Sequence, residues 1–378
     1  MKTIPRTVKN LIIKKLYPNK VCLLFGARRV GKTVLIKEIY NEFTGKKLIL
    51  NGEDNETLQL LAERSIANYK RLLKNIELLI IDEAQNIPEI GKKLKLIVDE
   101  IEGIKIIATG SSGFDLLNVS GEPLTGRCFT FYLYPIAQLE LSEKENLLET
   151  NKNLEERLIY GSYPEILHYD DLYDKKSYLL DLINSYLLKD ILIIDGIRNS
   201  SKMYDLLKLI ALQIGHEVSY DELGNQLNMS KNTISKYLDL LSKVFVIFNI
   251  RGFSRNLRKE ISKKSRWYFY DNGVRNALIS DFNPISIRKD MGVLWENYIV
   301  SERVKYQAYN KIISNNYFWR TYQQQEIDWI EEIEGRLFAY EMKWGKNNKI
   351  KIPSAWADAY SNTEFKVISR DNYLDWIS

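Results

Sequence analysis

Over residues 1–138, short apolar runs alternate with longer amphipathic stretches. Val21–Phe25, Lys47–Asn51, Leu78–Ile81, Lys105–Thr109 and Cys128–Leu133 are β-rich apolar runs and predict strands. Between them, Val34–Phe43 and Ile90–Ile101 have helical patterns. Strands alternating with helices predict βαβ units and a parallel sheet covered on both faces. Residues 139–250 are mostly helical, with Leu179, Leu180, Ile183 and Leu187 at helical spacing. Within them, Ser219–Ser242 predicts a helix-turn-helix. Ser219 caps a first helix with Glu222 three residues on, Asn228–Ser230 form the turn, and a second helix starts at Lys231. Residues 245–253, FVIFNIRGF, then read as the strand of a wing. In the last third, residues 295–309 predict a helix and 316–320, 325–333, 336–344 and 365–369 predict strands, an α+β or α/β module.

A length of 378 residues corresponds to two to three domains. A hydrophobic fraction of 45% and a charged fraction of 27% are ordinary for a globular protein. They argue against wholesale disorder, collagen-like repeats and a disulfide-stapled mini-protein. The net charge of +5 is too small for the whole chain to act as a nucleic-acid binder, so any basic surface is local. Two cysteines, Cys22 and Cys128, and two histidines, His168 and His216, all but exclude a Cys/His zinc site. They leave a histidine-based hydrolase only two choices of base. No apolar segment follows the basic N-terminal residues, and Leu78–Ile81 and Val244–Phe248 are far short of the ~20 residues that span a bilayer. A cytoplasmic protein with no membrane partner is expected.

Gly26, Ala27, Arg28, Arg29, Val30, Gly31, Lys32 and Thr33 match G-x-x-x-x-G-K-[ST] between a predicted strand and a predicted helix. The glycines let backbone N–H groups face phosphates, at the positive end of a helix. Lys32 reaches the β- and γ-phosphates of ATP and Thr33 ligates Mg²⁺. The strand Leu78–Ile81 ends in Asp82 and Glu83, two carboxylates at the edge of a parallel sheet where α/β ligands bind. Asp82 is the candidate for the Mg²⁺ water shell and Glu83 for orienting and deprotonating the attacking water. Ser111 is the candidate to sense the γ-phosphate or position that water, with Thr109 and Ser112 less favoured. A plain turn with capping serines is the alternative. Arg127 is the best candidate to neutralise transition-state charge, although Arg28 and Arg29 are closer to the phosphates in sequence and a surface arginine is the alternative. It can serve its own site or, in a homo-oligomer, a neighbour's.

GARRVGKTVLIKEI, LLIIDEAQNIPE, IIATGSSGFDLL, LTGRCFTFYLYPIAQLEL, YGSYPEI and YLLKDILII occur in an order that resembles a widespread prokaryotic group of AAA-type ATPases. In that group a P-loop domain precedes a C-terminal domain of unknown function with a winged helix and a restriction-endonuclease-like fold. The resemblance covers nearly the whole chain, is specific to about residue 195, and implies ATP binding without naming a biological role. One departure is Gly161-Ser162-Tyr163-Pro164, where the group usually has a glycine pair before the proline.

Residues 226–266 carry ten basic and two acidic side chains, a local net charge of +8. Such a patch suits the backbone of double-stranded DNA, and the second helix offers Ser230, Lys231, Asn232, Ser235 and Lys236 to a groove, with Arg255 and Arg258 following. A solvated face on a protein-binding winged helix is the alternative. Further on, Asp328 and Glu341-Met342-Lys343 lie on adjacent predicted strands with Glu296 and Glu302 on the helix before them. This resembles the D…ExK constellation of restriction-type nucleases, in which Asp328 and Glu341, with Glu296 added, ligate Mg²⁺ and Lys343 positions a water. The alternative is a retained fold with an inactive site.

The expected fold class is α/β. The expected order is a P-loop NTPase parallel sheet (1–138), a helical segment (139–200), a winged-helix-like domain with a basic patch (201–280) and a restriction-endonuclease-like α/β domain (281–378). The expected function is ATP hydrolysis coupled to DNA engagement, with a Mg²⁺-dependent nuclease activity to be tested. The competing reading is a signalling or assembly ATPase that binds a protein partner.

Overall fold

A computed structural model describes residues 4–111, 124–187, 200–254, 265–345, 350–360 and 363–378. The chain divides into two compact units, Lys2–Tyr134 with Lys243–Phe245, and Pro135–Ser242 with Val246–Ser378.

Among the described residues, the N-terminal unit is built on five parallel strands: β1 (Lys20–Phe25), β2 (Lys47–Asn51), β3 (Leu78–Asp82), β4 (Lys105–Gly110) and β5 (Cys128–Tyr132). Their order is β2-β3-β4-β1-β5. Each agrees with its predicted run to within one residue at either end. The physical reason is burial on both faces: Val21–Phe25 and Leu78–Ile81 expose no surface, so the strands read as unbroken apolar runs. Burying each such Leu or Ile side chain stabilises by about 1.5–3 kcal/mol. The helix Ile90–Glu100 packs Ile90, Leu94, Ile97 and Val98 against Val21, Leu23, Phe25, Leu79 and Ile81. The helix Lys32–Glu42 buries Leu35, Ile36 and Ile39. Because all strands run the same way, the segments after β1, β3 and β4 emerge at one edge of the sheet.

The C-terminal unit begins with the helices Gln138–Ser142, Leu147–Tyr160, Leu172–Asp181, Ser200–Leu212 and Tyr220–Leu227, and Lys231–Lys243 follows. Among the described residues, seven further strands form its mixed sheet: β6 (Glu217–Val218), β7 (Ile247–Gly252), β8 (Ser265–Phe269), β9 (Asn315–Arg320), β10 (Glu326–Ile333), β11 (Arg336–Met342) and β12 (Thr363–Ile368). Their order is β12-β11-β10-β9-β7-β8-β6. Parallel pairing of β7 with β9, at Arg251↔Tyr317 and Gly252↔Phe318, places strands from both sides of residue 280 in one sheet. Nothing local in the sequence announces that pairing, because its partners lie 66 residues apart. The helix Met291–Tyr309 covers one face, setting Leu294, Trp295 and Tyr298 against Tyr268, Trp329 and Tyr340. Phe253 and Trp356 pack with Trp319, Ile330 and Ala339 in a second core. Among the described residues, no helix is long and apolar enough to cross a membrane.

The unusual Gly161-Ser162-Tyr163-Pro164 turn is clamped by a buried carboxylate. Ser162 N–H donates to Asp271 Oδ2 at 2.7 Å, and Ser162 O accepts from Ile136 N–H at 2.8 Å. Both contacts at 162 are backbone ones, so a serine supplies them as well as a glycine. Gly161 differs: its φ is +73°, and an added Cβ would stand 2.0 Å from Asp271 Oδ1. Gly161→Ala therefore costs about 3 kcal/mol from left-handed strain and displacement of Asp271. All seven tryptophans lie between Trp267 and Trp376. Denaturant unfolding followed by their fluorescence thus reads this unit, and a loss under about 1 kcal/mol contradicts the clamp.

Candidate active site

The loop Gly26–Gly31 joins β1 to the helix Lys32–Glu42. Gly31 caps that helix with φ 98°, which no β-carbon-bearing residue adopts cheaply. Arg29 takes φ 65°, half-buried Arg28 precedes it, and Val30 is fully buried. Lys32 is itself buried, and its Nζ donates to Gly26 O at 2.9 Å and Ala27 O at 3.0 Å, inside the curl of the loop. The ammonium is thereby held inside the loop, with two backbone carbonyls as acceptors.

The opposite wall comes from β3 and β4. Thr33 Oγ1 donates to Asp82 Oδ2 at 2.7 Å, so the loop hydroxyl and the strand carboxylate expected to share one ion meet directly. Thr109 on β4, fully buried, donates to Asp82 Oδ1 at 2.5 Å and accepts from Glu83 N–H at 3.0 Å. The hydroxyl expected to matter less thus holds the Asp82 carboxylate and the Glu83 backbone. Glu83 takes a left-handed backbone (φ 47°), a strain of about 1–3 kcal/mol in a residue with a β-carbon. Its Oε2 accepts from Gln85 Nε2 at 2.5 Å, and the same nitrogen lies 3.4 Å from Ser111 Oγ. Hard oxygen donors on Thr33 and Asp82, beside a phosphate loop, suit Mg²⁺.

Lys32, Thr33, Asp82, Glu83 and Ser111 are therefore brought together; Arg127 is not. It precedes β5, where Val21 N–H donates to Arg127 O at 2.9 Å, and β1 and β5 run in parallel from Val21↔Cys128 to Phe25↔Tyr132. That places Arg127 about 20 Å down the strand from the loop, at ~3.3 Å per residue. Its Nε binds Asp99 Oδ1 at 2.7 Å. Ser112 lies outside the described residues.

Two residues that sequence reasoning missed complete the site. Arg6 is buried and donates to Val30 O at 2.7 Å and Tyr134 O at 2.6 Å, tying the loop to the segment after β5. Its partners are 24 and 128 positions away, so no local pattern marks it. Gln85 sits two residues beyond Glu83, and that adjacency was the available signal.

A second polar cluster occupies the C-terminal unit. The register Trp329↔Tyr340 sets Asp328 opposite Glu341, and Asp328 Oδ2 accepts from Met342 N–H at 2.9 Å. Lys343 Nζ pairs with Glu341 Oε1 at 2.7 Å. Glu296 Oε1 accepts from Tyr268 Oη at 2.7 Å. Sequence reasoning gave Arg266 to the basic patch; the structure buries it instead. Its Nη1 lies 3.7 Å from Glu296 Oε1 and 3.6 Å from Asp328 Oδ1, and Nη2 donates to Glu326 Oε2 at 2.8 Å. Burial, then repulsion from Asp328, pushes Glu296 up to about 8. The same two causes take Glu341 to about 7. Burial disfavours the Arg266 charge, but Tyr268 and the surrounding carboxylates outweigh it and hold its pKa above the ordinary value. Among the described residues, no three His, Cys, Asp or Glu side chains are grouped to hold a metal ion. Glu296, Asp328 and Glu341 instead turn to Tyr268, Arg266, the Met342 amide and Lys343. Glu302 lies outside this cluster and accepts from Gln138 N–H at 2.6 Å and Lys305 Nζ at 2.7 Å.

On the helix Lys231–Lys243, Ile234, Leu238 and Leu241 are buried while Lys231, Asn232, Ser235 and Lys236 are exposed. Ser230 Oγ accepts from Thr233 N–H at 3.1 Å and starts the helix, and Lys231 Nζ pairs with Asp221 Oδ2 at 2.8 Å. Arg255 and Arg258 lie outside the described residues.

The N-terminal unit has a parallel sheet with the G-x-x-x-x-G-K-[ST] loop after β1 and an Asp-Glu pair after β3, and residues 18–142 match the AAA domain family. Residues 151–284 match Domain of unknown function DUF8612, and 291–372 match Domain of unknown function DUF4143. An uncharacterized protein of Methanocaldococcus jannaschii is 26% identical over 382 residues, covering 94% of this chain and 83% of its own length. An uncharacterized protein of Mycobacterium tuberculosis is 25% identical over 338 residues, covering 87% of this chain and 71% of its own. A solved signal-transduction ATPase with numerous domains, from Pyrococcus horikoshii, is 14% identical with a TM-score of 0.31. That comparison covers 82% of this chain, which spans about half (48%) of the other.

Proposed function

We propose that this chain is an ATP-driven switch, in which hydrolysis in the N-terminal unit controls the grip of the C-terminal unit on double-stranded DNA. The observation that carries the ATPase half is the 2.7 Å contact between Thr33 Oγ1 and Asp82 Oδ2, with Glu83 held beside it. Lys32 and the loop amides hold the phosphates. Thr33 and Asp82 hold Mg²⁺, which supplies charge neutralisation on phosphate oxygens. Glu83 takes the proton of the attacking water. Arg28 adds positive charge in cis, and Arg127 contributes only from a neighbouring copy in a homo-oligomer.

The DNA half rests on the exposed Lys231, Asn232, Ser235 and Lys236. The helices Tyr220–Leu227 and Lys231–Lys243 with β6, β7 and β8 support a winged-helix reading. Lys231→Ala with Lys236→Ala weakens binding to all DNA sequences alike and lowers the slope of log affinity against log salt by about one per lysine. Binding that survives with an unchanged slope moves the DNA surface elsewhere. The switch itself is read from ATP hydrolysis with and without duplex DNA. Stimulation is expected; hydrolysis indifferent to DNA favours the reading in which a protein is the partner.

Asp328 opposite Glu341, with Lys343 beyond, supports a restriction-endonuclease-like reading of the last third. Arg266 favours a retained fold without turnover, because a guanidinium already lies 3.7 Å from Glu296 and 3.6 Å from Asp328. With Mg²⁺, plasmid nicking by wild type is expected to match that of Asp328→Ala. Nicking by wild type that Asp328→Ala abolishes overturns this assignment.

A further inference from the structure

Gln85 has no part in the roles assigned so far, yet it touches two of the residues that have them. It lies in the short turn Ala84–Asn86 that follows β3. Its side-chain amide faces the Glu83 carboxylate at 2.5 Å and Ser111 Oγ at 3.4 Å, bridging the ends of β3 and β4. A carboxylate only accepts, so the nitrogen end must be the one facing Glu83. That orientation leaves the other end of the amide in an uncommon state. Gln85 Oε1 is buried with no hydrogen-bond partner among the described residues. A buried carbonyl left unmatched is costly, and structures keep that cost where a ligand or water supplies the missing donor.

We propose that Gln85 is a positioning residue for ATP hydrolysis, its amide N–H fixing Glu83 while its carbonyl oxygen accepts a hydrogen bond from the attacking water. The inference rests on Glu83 as the base. In the step it serves, the water oxygen bonds to the γ-phosphorus as the bond from that phosphorus to the bridging oxygen breaks. The departing ADP oxygen keeps the electron pair, and Glu83 takes the water proton. One hydrogen of the water goes to Glu83 and the other to Gln85 Oε1, which sets the oxygen lone pair in a single direction. The contact to Ser111 puts the same amide beside the hydroxyl expected to sense the γ-phosphate.

The test is a double-mutant cycle on the full chain, read by single-turnover ATP hydrolysis and by binding of a fluorescent ATP analogue. Gln85→Met keeps the side-chain length and removes both polar ends. It is expected to lower the hydrolysis rate at least about tenfold while the analogue Kd stays within about twofold. In the background of Glu83→Gln, adding Gln85→Met is expected to change the rate less than about twofold, since aiming the water serves the step only when Glu83 can take its proton. A full additional loss in the double variant overturns the proposal and marks Gln85 as structural. So does wild-type hydrolysis by Gln85→Met. If Gln85→Met fails to bind the analogue, Gln85→Glu, which keeps a carbonyl-type oxygen but loses the donor to Glu83, is read by the same criteria. Should Glu83→Gln alone hydrolyse at the wild-type rate, the assignment of the base fails, an outcome distinct from failure at Gln85.

Discussion

Glu83→Gln binds ATP as tightly as wild type and hydrolyses it on the order of 10²- to 10⁴-fold more slowly, a loss of about 3–5 kcal/mol of transition-state stabilisation. The substitution keeps the volume and planar shape of the side chain but removes its capacity to take a proton. The surrounding contacts persist: Gln85 Nε2 still has an oxygen to meet, and Glu83 N–H still donates to Thr109. Thr33 and Asp82 are untouched, so the groups proposed to hold the nucleotide remain. Equilibrium binding together with single-turnover hydrolysis separates the two effects. Hydrolysis within a few-fold of wild type removes Glu83 as the base, and a large loss of affinity makes it a binding group instead.

The second large effect is expected at Arg266. Arg266→Met leaves Glu296 and Asp328 without their shared cation in a buried setting, which costs about 3–5 kcal/mol at a pH where they are ionised. The pH dependence follows from the carboxyls. Glu296 at about 8 and Glu341 at about 7 both stand above the ordinary value of 4.5. The folded unit therefore binds their protons more tightly than the unfolded chain does. That contribution to stability is fully present below the unfolded value and is lost as pH rises through the folded ones. Wild type is expected to lose stability between about pH 5 and pH 9, and Arg266→Met to lose more over the same range. Acid recovers the variant, because protonated carboxyls no longer need the guanidinium. Tryptophan-monitored denaturation at both ends of the range checks this. A pH-independent penalty makes Arg266 a packing residue rather than the counter-charge of the cluster.

How far the site was legible differs between its parts. Gly26–Thr33 and Asp82-Glu83 are contiguous segments whose geometry is set by local rules: a glycine that tolerates φ 98°, a helix start, and the end of a buried strand. Residues of this kind carry their structural context in their neighbours. Arg127 failed as a candidate for its own site because strand direction, which a single arginine does not record, puts it at the far edge of the sheet. Thr109 was undervalued for the converse reason. Its importance lies in standing next to Asp82 across the β3–β4 pairing, a relation between positions 27 apart.

Five N-terminal strands, the phosphate loop, the helix pair around Asn228 and the placing of Asp328 and Glu341 on adjacent strands were legible in the residues alone. Each is governed by periodicity, capping or backbone freedom within a few residues. The packing of distant segments was needed to pair β7 with β9, to set Arg6 under the loop, to let Gln85 bridge Glu83 and Ser111, and to lay Arg266 among carboxylates rather than on a basic surface. These depend on which distant segments share a sheet and which charges are withdrawn from water. Burial decides both, and a side chain's own sequence does not reveal whether its charge will face solvent or a buried partner.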